Sequence, residues 1–268
     1  MPFAENQGAR IYWDEQEHGE PVLLIMGLGW SSALWHRSRP TLSTRYRTIA
    51  LDNRGVGRSS VPPGPYSIRL MAQDAAAVLD AAGVQSAHVF GVSMGGMIAQ
   101  EFALEYPNRV RSLILGCTAA GGPKAVRASP EVLDILMREG MSPNEFVAAI
   151  NPFIYDLTTP QKRIEEDTAL RLKWWPNPAG YKAQLQGILA WQAYDRLAEI
   201  KAPTLVIHGE TDRLVPPANG TLIAGRIGGA KLVMIPHASH VLATDQPEAV
   251  NHAVLDFLAT QHSEQSPL

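Results

Sequence analysis

Short runs of consecutive apolar residues punctuate the chain, and between them apolar residues recur at three- and four-residue spacing. Residues 22–26 form a run with no polar interruption, the pattern of a strand covered on both faces. Residues 47–51, 87–90, 113–115, 204–208 and 231–235 read as further strands, and residues 10–14 as an edge strand. The intervening pattern is helical. Residues 68–82 carry Ala and Leu at helical spacing and stop at Gly83, a favoured C-terminal cap. Residues 94–105 form a helix that ends at Tyr106-Pro107, and residues 251–259 form a closing helix.

This alternation predicts an α/β fold: a doubly wound, mostly parallel sheet with right-handed crossovers that put helices on both faces. In such sheets ligands meet the loops at the carboxyl ends of strands, so residues that directly follow a strand are the first candidates for chemistry. One stretch departs from the alternation. Between Gly121 and Glu199 only helical patterns occur, over residues 130–139, 143–150, 160–172 and 181–194. Several open at or next to a proline, which suits a helix's first turn. The expected organisation is a core of residues 1–120 and 200–268 with a helical lid inserted at 121–199.

Composition narrows the function. The 268 residues are 46% apolar, enough for a sizeable core, and the net charge is −3. With no basic run or stripe, a nucleic-acid partner has no electrostatic basis. The chain starts Met-Pro-Phe-Ala-Glu-Asn without a charged-then-apolar leader, and its longest early apolar stretch, residues 22–28, is too short to span a bilayer. A cytoplasmic protein, monomer or homodimer, acting on a small molecule is expected. The one cysteine, Cys117, follows an apolar run and reads as a buried strand-end residue rather than a nucleophile.

The chemistry-bearing segments each follow a predicted strand. Gly91-Val92-Ser93-Met94-Gly95 joins a strand to a helix. A sharp strand-to-helix turn exposes the serine hydroxyl, glycines permit the close backbone approach, and the helix N-terminus favours developing negative charge. Asp212 lies just after the strand 204–208, with Glu210 and Asp195 as competing carboxylates. His240 lies in the loop after the strand 231–235, with His237 as its competitor. A serine hydroxyl is a poor nucleophile at neutral pH and needs an adjacent base, and that base needs an acid to fix its tautomer. Ser93 as nucleophile, His240 as base and Asp212 as orienting acid supply that set in the order Ser, Asp, His. Two backbone N–H groups are then needed for the oxyanion: that of Met94, and one from the glycine-rich loop Met26-Gly27-Leu28-Gly29-Trp30, at Leu28.

Other chemistries lack support. Two glycine-rich loops begin like a dinucleotide fingerprint, but Ser32 and Ser60 occupy the third glycine position. No His-Glu-x-x-His or similar metal spacing occurs, so neither cofactor nor metal is expected. Trp30, Met97, Trp174, Trp175 and Trp191, with Tyr181 and Tyr194, are candidates to line an apolar pocket. They would serve equally to pack the lid on the core.

With these segments placed, the sequence resembles the α/β-hydrolase superfamily over nearly its whole length. Leu51-Asp52-Asn53-Arg54-Gly55-Val56-Gly57-Arg58-Ser59 looks like its Asp-x-Arg-Gly-x-Gly-x-Ser loop. Residues 91–95 are similar to its nucleophile elbow, and Asp212 and His240 match its acid and histidine positions. Within the superfamily the chain looks most like bacterial carboxylesterases and enol-lactonase-like hydrolases. Met26-Gly27 stands where many relatives carry His-Gly, and a serine stands where dehalogenases and epoxide hydrolases use aspartate. The resemblance implies hydrolysis of a moderately hydrophobic ester or lactone. The same constellation would suit carbon–carbon, thioester or perhydrolase chemistry, and a ligand receptor of the same fold is the remaining alternative.

Overall fold

The computed structural model of the protein describes residues 2–16 and 19–262. Eight strands form one sheet: β1 (Phe3–Asn6), β2 (Ala9–Gln16), β3 (Glu20–Ile25), β4 (Tyr46–Leu51), β5 (Ala87–Val92), β6 (Val110–Gly116), β7 (Thr204–Gly209) and β8 (Lys231–Ile235). Their order is β1-β2-β4-β3-β5-β6-β7-β8. From β4 to β8 every pairing is parallel, while β1 and β2 add on antiparallel. Residues 10–14 therefore belong to an inner strand, not an edge. The outer strand is the short, polar Phe-Ala-Glu-Asn segment, whose pattern carries no strand signal.

The helices are α1 (Arg39–Leu42), α2 (Ile68–Ala81), α3 (Met94–Glu105), α4 (Pro130–Met137), α5 (Pro143–Ile154), α6 (Gln161–Lys173), α7 (Pro178–Ala190), α8 (Ala218–Arg226), α9 (Leu242–Asp245) and α10 (Pro247–His262). Alternate residues of the central strands feed two cores. Leu23, Ile25, Val89, Leu113 and Val206 pack with α2, α3 and α8. Val22, Leu24, Phe90, Ile114 and Ile207 pack with Trp35, Leu42 and the Val250–Leu258 face of α10. Because both faces of β3 and β6 are covered, residues 22–25 and 113–115 read as unbroken apolar runs.

Helices α4 to α7 lie between β6 and β7 and have a small core of their own, built on Val132, Ile135, Ile150, Phe153 and Ile154. Ser129, Ser142 and Asn177 cap α4, α5 and α7, each with proline as the next residue, so helix starts in this segment are set locally. Among the described residues no helix is long and apolar enough to cross a membrane.

Candidate active site

Ser93 is the single residue between β5 and α3, at φ 56° and ψ −123°. A non-glycine residue held there costs about 1–3 kcal/mol, so the surroundings must impose it. The Ser93 N–H donates to Gly116 O (2.9 Å). Its carbonyl accepts from Gly96 N (2.9 Å), Met97 N (3.2 Å) and the Thr118 hydroxyl (2.7 Å). The flanking glycines are required by contact. A Cβ at Gly91 would sit 2.1 Å from Gly95 O, and one at Gly95 would sit 2.1 Å from Ile25 O. The strand, the turn and the helix thus touch through backbone alone, which pushes the serine side chain outward.

Asp212 and His240 follow the last two strands, β7 and β8. The Nδ1–H of His240 donates to Asp212 Oδ2 at 2.9 Å, which leaves Nε2 as the ring's acceptor. The other carboxylate oxygen of Asp212 accepts from Leu214 N (2.9 Å) and Val215 N (2.8 Å). Burial pushes the Asp212 carboxyl up, but the charges and hydrogen bonds of His240 and His208 outweigh it and hold it down at about 2. His208, fully buried on β7, bonds Val215 O at 2.8 Å and approaches Asp212 Oδ2 at 3.4 Å. The competing residues point elsewhere: His237, Glu210 and Asp195 are all exposed.

The loop after β3 faces the elbow; a Cβ at Gly27 would lie 3.0 Å from Ser93 Cβ. Among the described residues neither Leu28 N–H nor Met94 N–H has a protein acceptor. The loop is held by residues whose roles sequence reading did not reach. Asn53 Nδ2 donates to Met26 O at 2.8 Å. Buried Asp52 accepts from Ser31 Oγ (2.8 Å), Ser32 N (2.7 Å) and Arg58 Nε (2.8 Å). Gln184 of α7, fully buried, accepts from Gly29 N at 2.9 Å and donates to Arg54 O at 2.8 Å.

Ser93, His240, Leu28, Met94, Trp30, Met97, Trp174 and Trp175 all line one cavity of about 1070 Å³ between the sheet's carboxyl edge and α4–α7. Trp191 does not. Its indole N–H donates to Glu101 Oε2 at 2.8 Å and its ring packs into the α2–α3 core, so the expectation of a pocket residue is corrected at this position. Tyr194 likewise lies away from the cavity, under the Arg226 guanidinium.

The family model for the α/β-hydrolase fold matches residues 20–247. The chain belongs to the α/β-hydrolase family. A protein named as a carbamate hydrolase, RutD, from Azorhizobium caulinodans is 35% identical, over 96% of this chain and 98% of its own. The enol-lactonase from Burkholderia xenovorans superposes with a TM-score of 0.84 at 26% identity, covering 96% of this chain and 100% of that one. A thermophilic esterase from Thermogutta terrifontis gives 0.85 at 29% identity, covering 97% and 98%.

In this α/β-hydrolase one group has metal-ligand composition among the described residues: Cys117, Asp212 and His240, with donor atoms within 4.8 Å of one another. The donor set fits an acid–histidine pair better than a metal site. Both Asp212 oxygens already accept hydrogen bonds, and burial pushes the Cys117 thiol well up, so it keeps its proton.

Helix α7 is docked too closely to be a loose flap. A Cβ at Gly180 would meet Gly55 O at 2.2 Å, and one at Gly187 would meet Tyr66 O at 2.0 Å. This contact delivers Gln184 to the Gly29 amide. Gln184→Met removes both bonds at nearly constant volume. If the Leu28 N–H of this loop meets developing charge, kcat for an ester should fall roughly 10-fold or more with a smaller change in KM. Gln184→Glu keeps the acceptor for Gly29 N and should recover part of kcat. Equal loss in both variants would remove Gln184 from the loop's support.

Proposed function

We propose that this α/β-hydrolase is a serine hydrolase that cleaves a carboxylic ester or lactone through an acyl-enzyme. The observation that carries the reading is the convergence, on one cavity, of the strained Ser93 elbow, the Asp212-paired His240 and two backbone N–H groups without protein acceptors. Ser93 Oγ bonds to the substrate carbonyl carbon while His240 Nε2 takes the hydroxyl proton. The carbonyl oxygen becomes an oxyanion, met by the Leu28 and Met94 N–H groups. Collapse of the intermediate breaks the bond to the leaving oxygen, which takes the proton from His240. Water then attacks the acyl group, His240 takes its proton, and Ser93 Oγ leaves with that proton. In a lactone the leaving alcohol stays attached to the acyl chain.

The helices at 121–199 act in this reading as a lid that encloses the carbonyl and excludes bulk water. The predominantly apolar wall, with Trp30, Met97, Trp174 and Trp175, favours a substrate with an apolar body. Likeness to an enol-lactonase and an esterase supports the oxygen-ester assignment.

The 35% identity to a protein named as a carbamate hydrolase favours one second reading, a carbamate on the same residues. Hydrolysis of p-nitrophenyl esters of two to eight carbons, an aliphatic lactone and an aryl carbamate separates the two. The ester–lactone reading predicts kcat/KM for the best ester or lactone well above that for the carbamate. Turnover of the carbamate alone would select the second reading, and turnover of none would contradict both.

A further inference from the structure

Helix α6 crosses the lid and carries Asp167 and Arg171 one turn apart, both buried. Residues at this spacing ordinarily pair with each other. Here Asp167 is occupied by other groups. Its carboxylate accepts from Arg37 (3.1 Å), the Tyr155 hydroxyl (3.2 Å) and the Thr244 hydroxyl (2.6 Å), with His36 Nε2 at 3.3 Å. Arg171 is 4% exposed, and among the described residues no carboxylate comes within ion-pair distance of it. Its partners are neutral, Asn151 Oδ1 at 2.8 Å from Nη1 and the Tyr155 hydroxyl oxygen, and its Nε has no acceptor. The neighbouring Tyr155 hydroxyl gives its proton to Asp167.

A buried cation without a carboxylate partner is costly, and a guanidinium does not escape the cost by losing its proton. Arg171 forms part of the wall of the cavity that holds Ser93 and His240. Its guanidinium lies 5.0 Å from the centre of the Trp30 ring, and Trp30 belongs to the loop that presents the Leu28 N–H. The acids elsewhere on that wall are already engaged: Glu139 with Lys182, and Glu145 with the N-cap of α5.

We infer that Arg171 receives a carboxylate of the substrate, so that the preferred ester or lactone carries one acid group on an otherwise apolar body. The inference rests on the ester–lactone reading above and deepens it. A planar guanidinium fork matches a carboxylate through two parallel bonds, and the apolar wall strengthens them by excluding water.

The test compares two substrates of equal chain length, p-nitrophenyl hexanoate and mono-p-nitrophenyl adipate. The wild type should prefer the adipate by roughly 10- to 100-fold in kcat/KM. Arg171→Met should collapse the ratio of the two kcat/KM values toward one, and Arg171→Lys should retain part of it. A wild type without the preference, or a ratio unchanged in Arg171→Met, would overturn the proposal. A binding measurement separates it from the hydrolytic reading. Adipate should raise the melting temperature of Ser93→Ala, more than equimolar chloride or phosphate does. Equal shifts would mean an unspecific anion site, and no shift with adipate would end the proposal even if neutral esters are hydrolysed.

Discussion

Asp212→Asn should lower kcat/KM for a good ester roughly 1,000- to 10,000-fold while the protein stays folded. The geometry dictates this size. An asparagine can still present its carbonyl oxygen to the Leu214 and Val215 amides, which now bond Asp212 Oδ1. Its NH2 group then faces His240 Nδ1, where Oδ2 now accepts at 2.9 Å. A donor at that position forces the imidazole proton onto Nε2, the atom that must accept from Ser93. The base is present but in the wrong tautomer. The wild-type pH profile follows from the same pair. Opposed by burial, His240 and His208 hold Asp212 at about 2, below its ordinary 3.8. Its depressed value means that the ionised pair is complete above 3.8 and is lost only as pH falls through about 2. The acid limb of activity should therefore show no aspartate step above pH 3. Two acid steps in kcat/KM above pH 3, or near-normal activity in Asp212→Asn, would contradict this assignment.

Gly95→Ala should destabilise the protein by about 2–4 kcal/mol and remove most of its activity. The added Cβ would lie 2.1 Å from Ile25 O and 2.8 Å from Met26 O, both backbone atoms at the end of β3. Neither can move without shifting the strand or α3, so the elbow and the loop after β3 would separate together. Gly225→Ala is the control. It lies inside α8 with nothing within 4 Å of its Cβ, and should be neutral or stabilising by about 0.5–1 kcal/mol. Thermal melts of the two variants test the contrast, and similar melting temperatures would show that the close approach at Gly95 is not required.

The elements that position the site were legible because the central strands are buried on both faces and their sequences say so. Helix α3 begins at Met94 and ends at Glu105, as its pattern predicts. Helix α8 was not legible: Asn219, Gly220 and Gly225 weaken its helical pattern, and Gly220 is there because His208 Nδ1 lies 2.8 Å from its Cβ position. Strand β1 and the four-residue helices α1 and α9 are too short to show a period. Ser93, Asp212 and His240 stood out because each directly follows a strand, and the structure brings the last two into hydrogen-bond contact. Gln184 and Arg171 had no such signal. Both sit on helices of the segment between β6 and β7, where their meaning depends on the loop or ring they face across the fold. Trp191 misled for the same reason, since nothing local reveals that its indole reaches Glu101 on α3.

The most direct measurement is peptide mapping after treatment with an aryl phosphonate ester, which mimics the tetrahedral intermediate, on the wild type and on Ser93→Ala. We predict one phosphonyl group on the peptide containing Ser93, complete loss of ester hydrolysis on labelling, and neither label nor activity in folded Ser93→Ala. Hydrolysis that survives in Ser93→Ala, or a label on another residue that abolishes activity, would contradict the account.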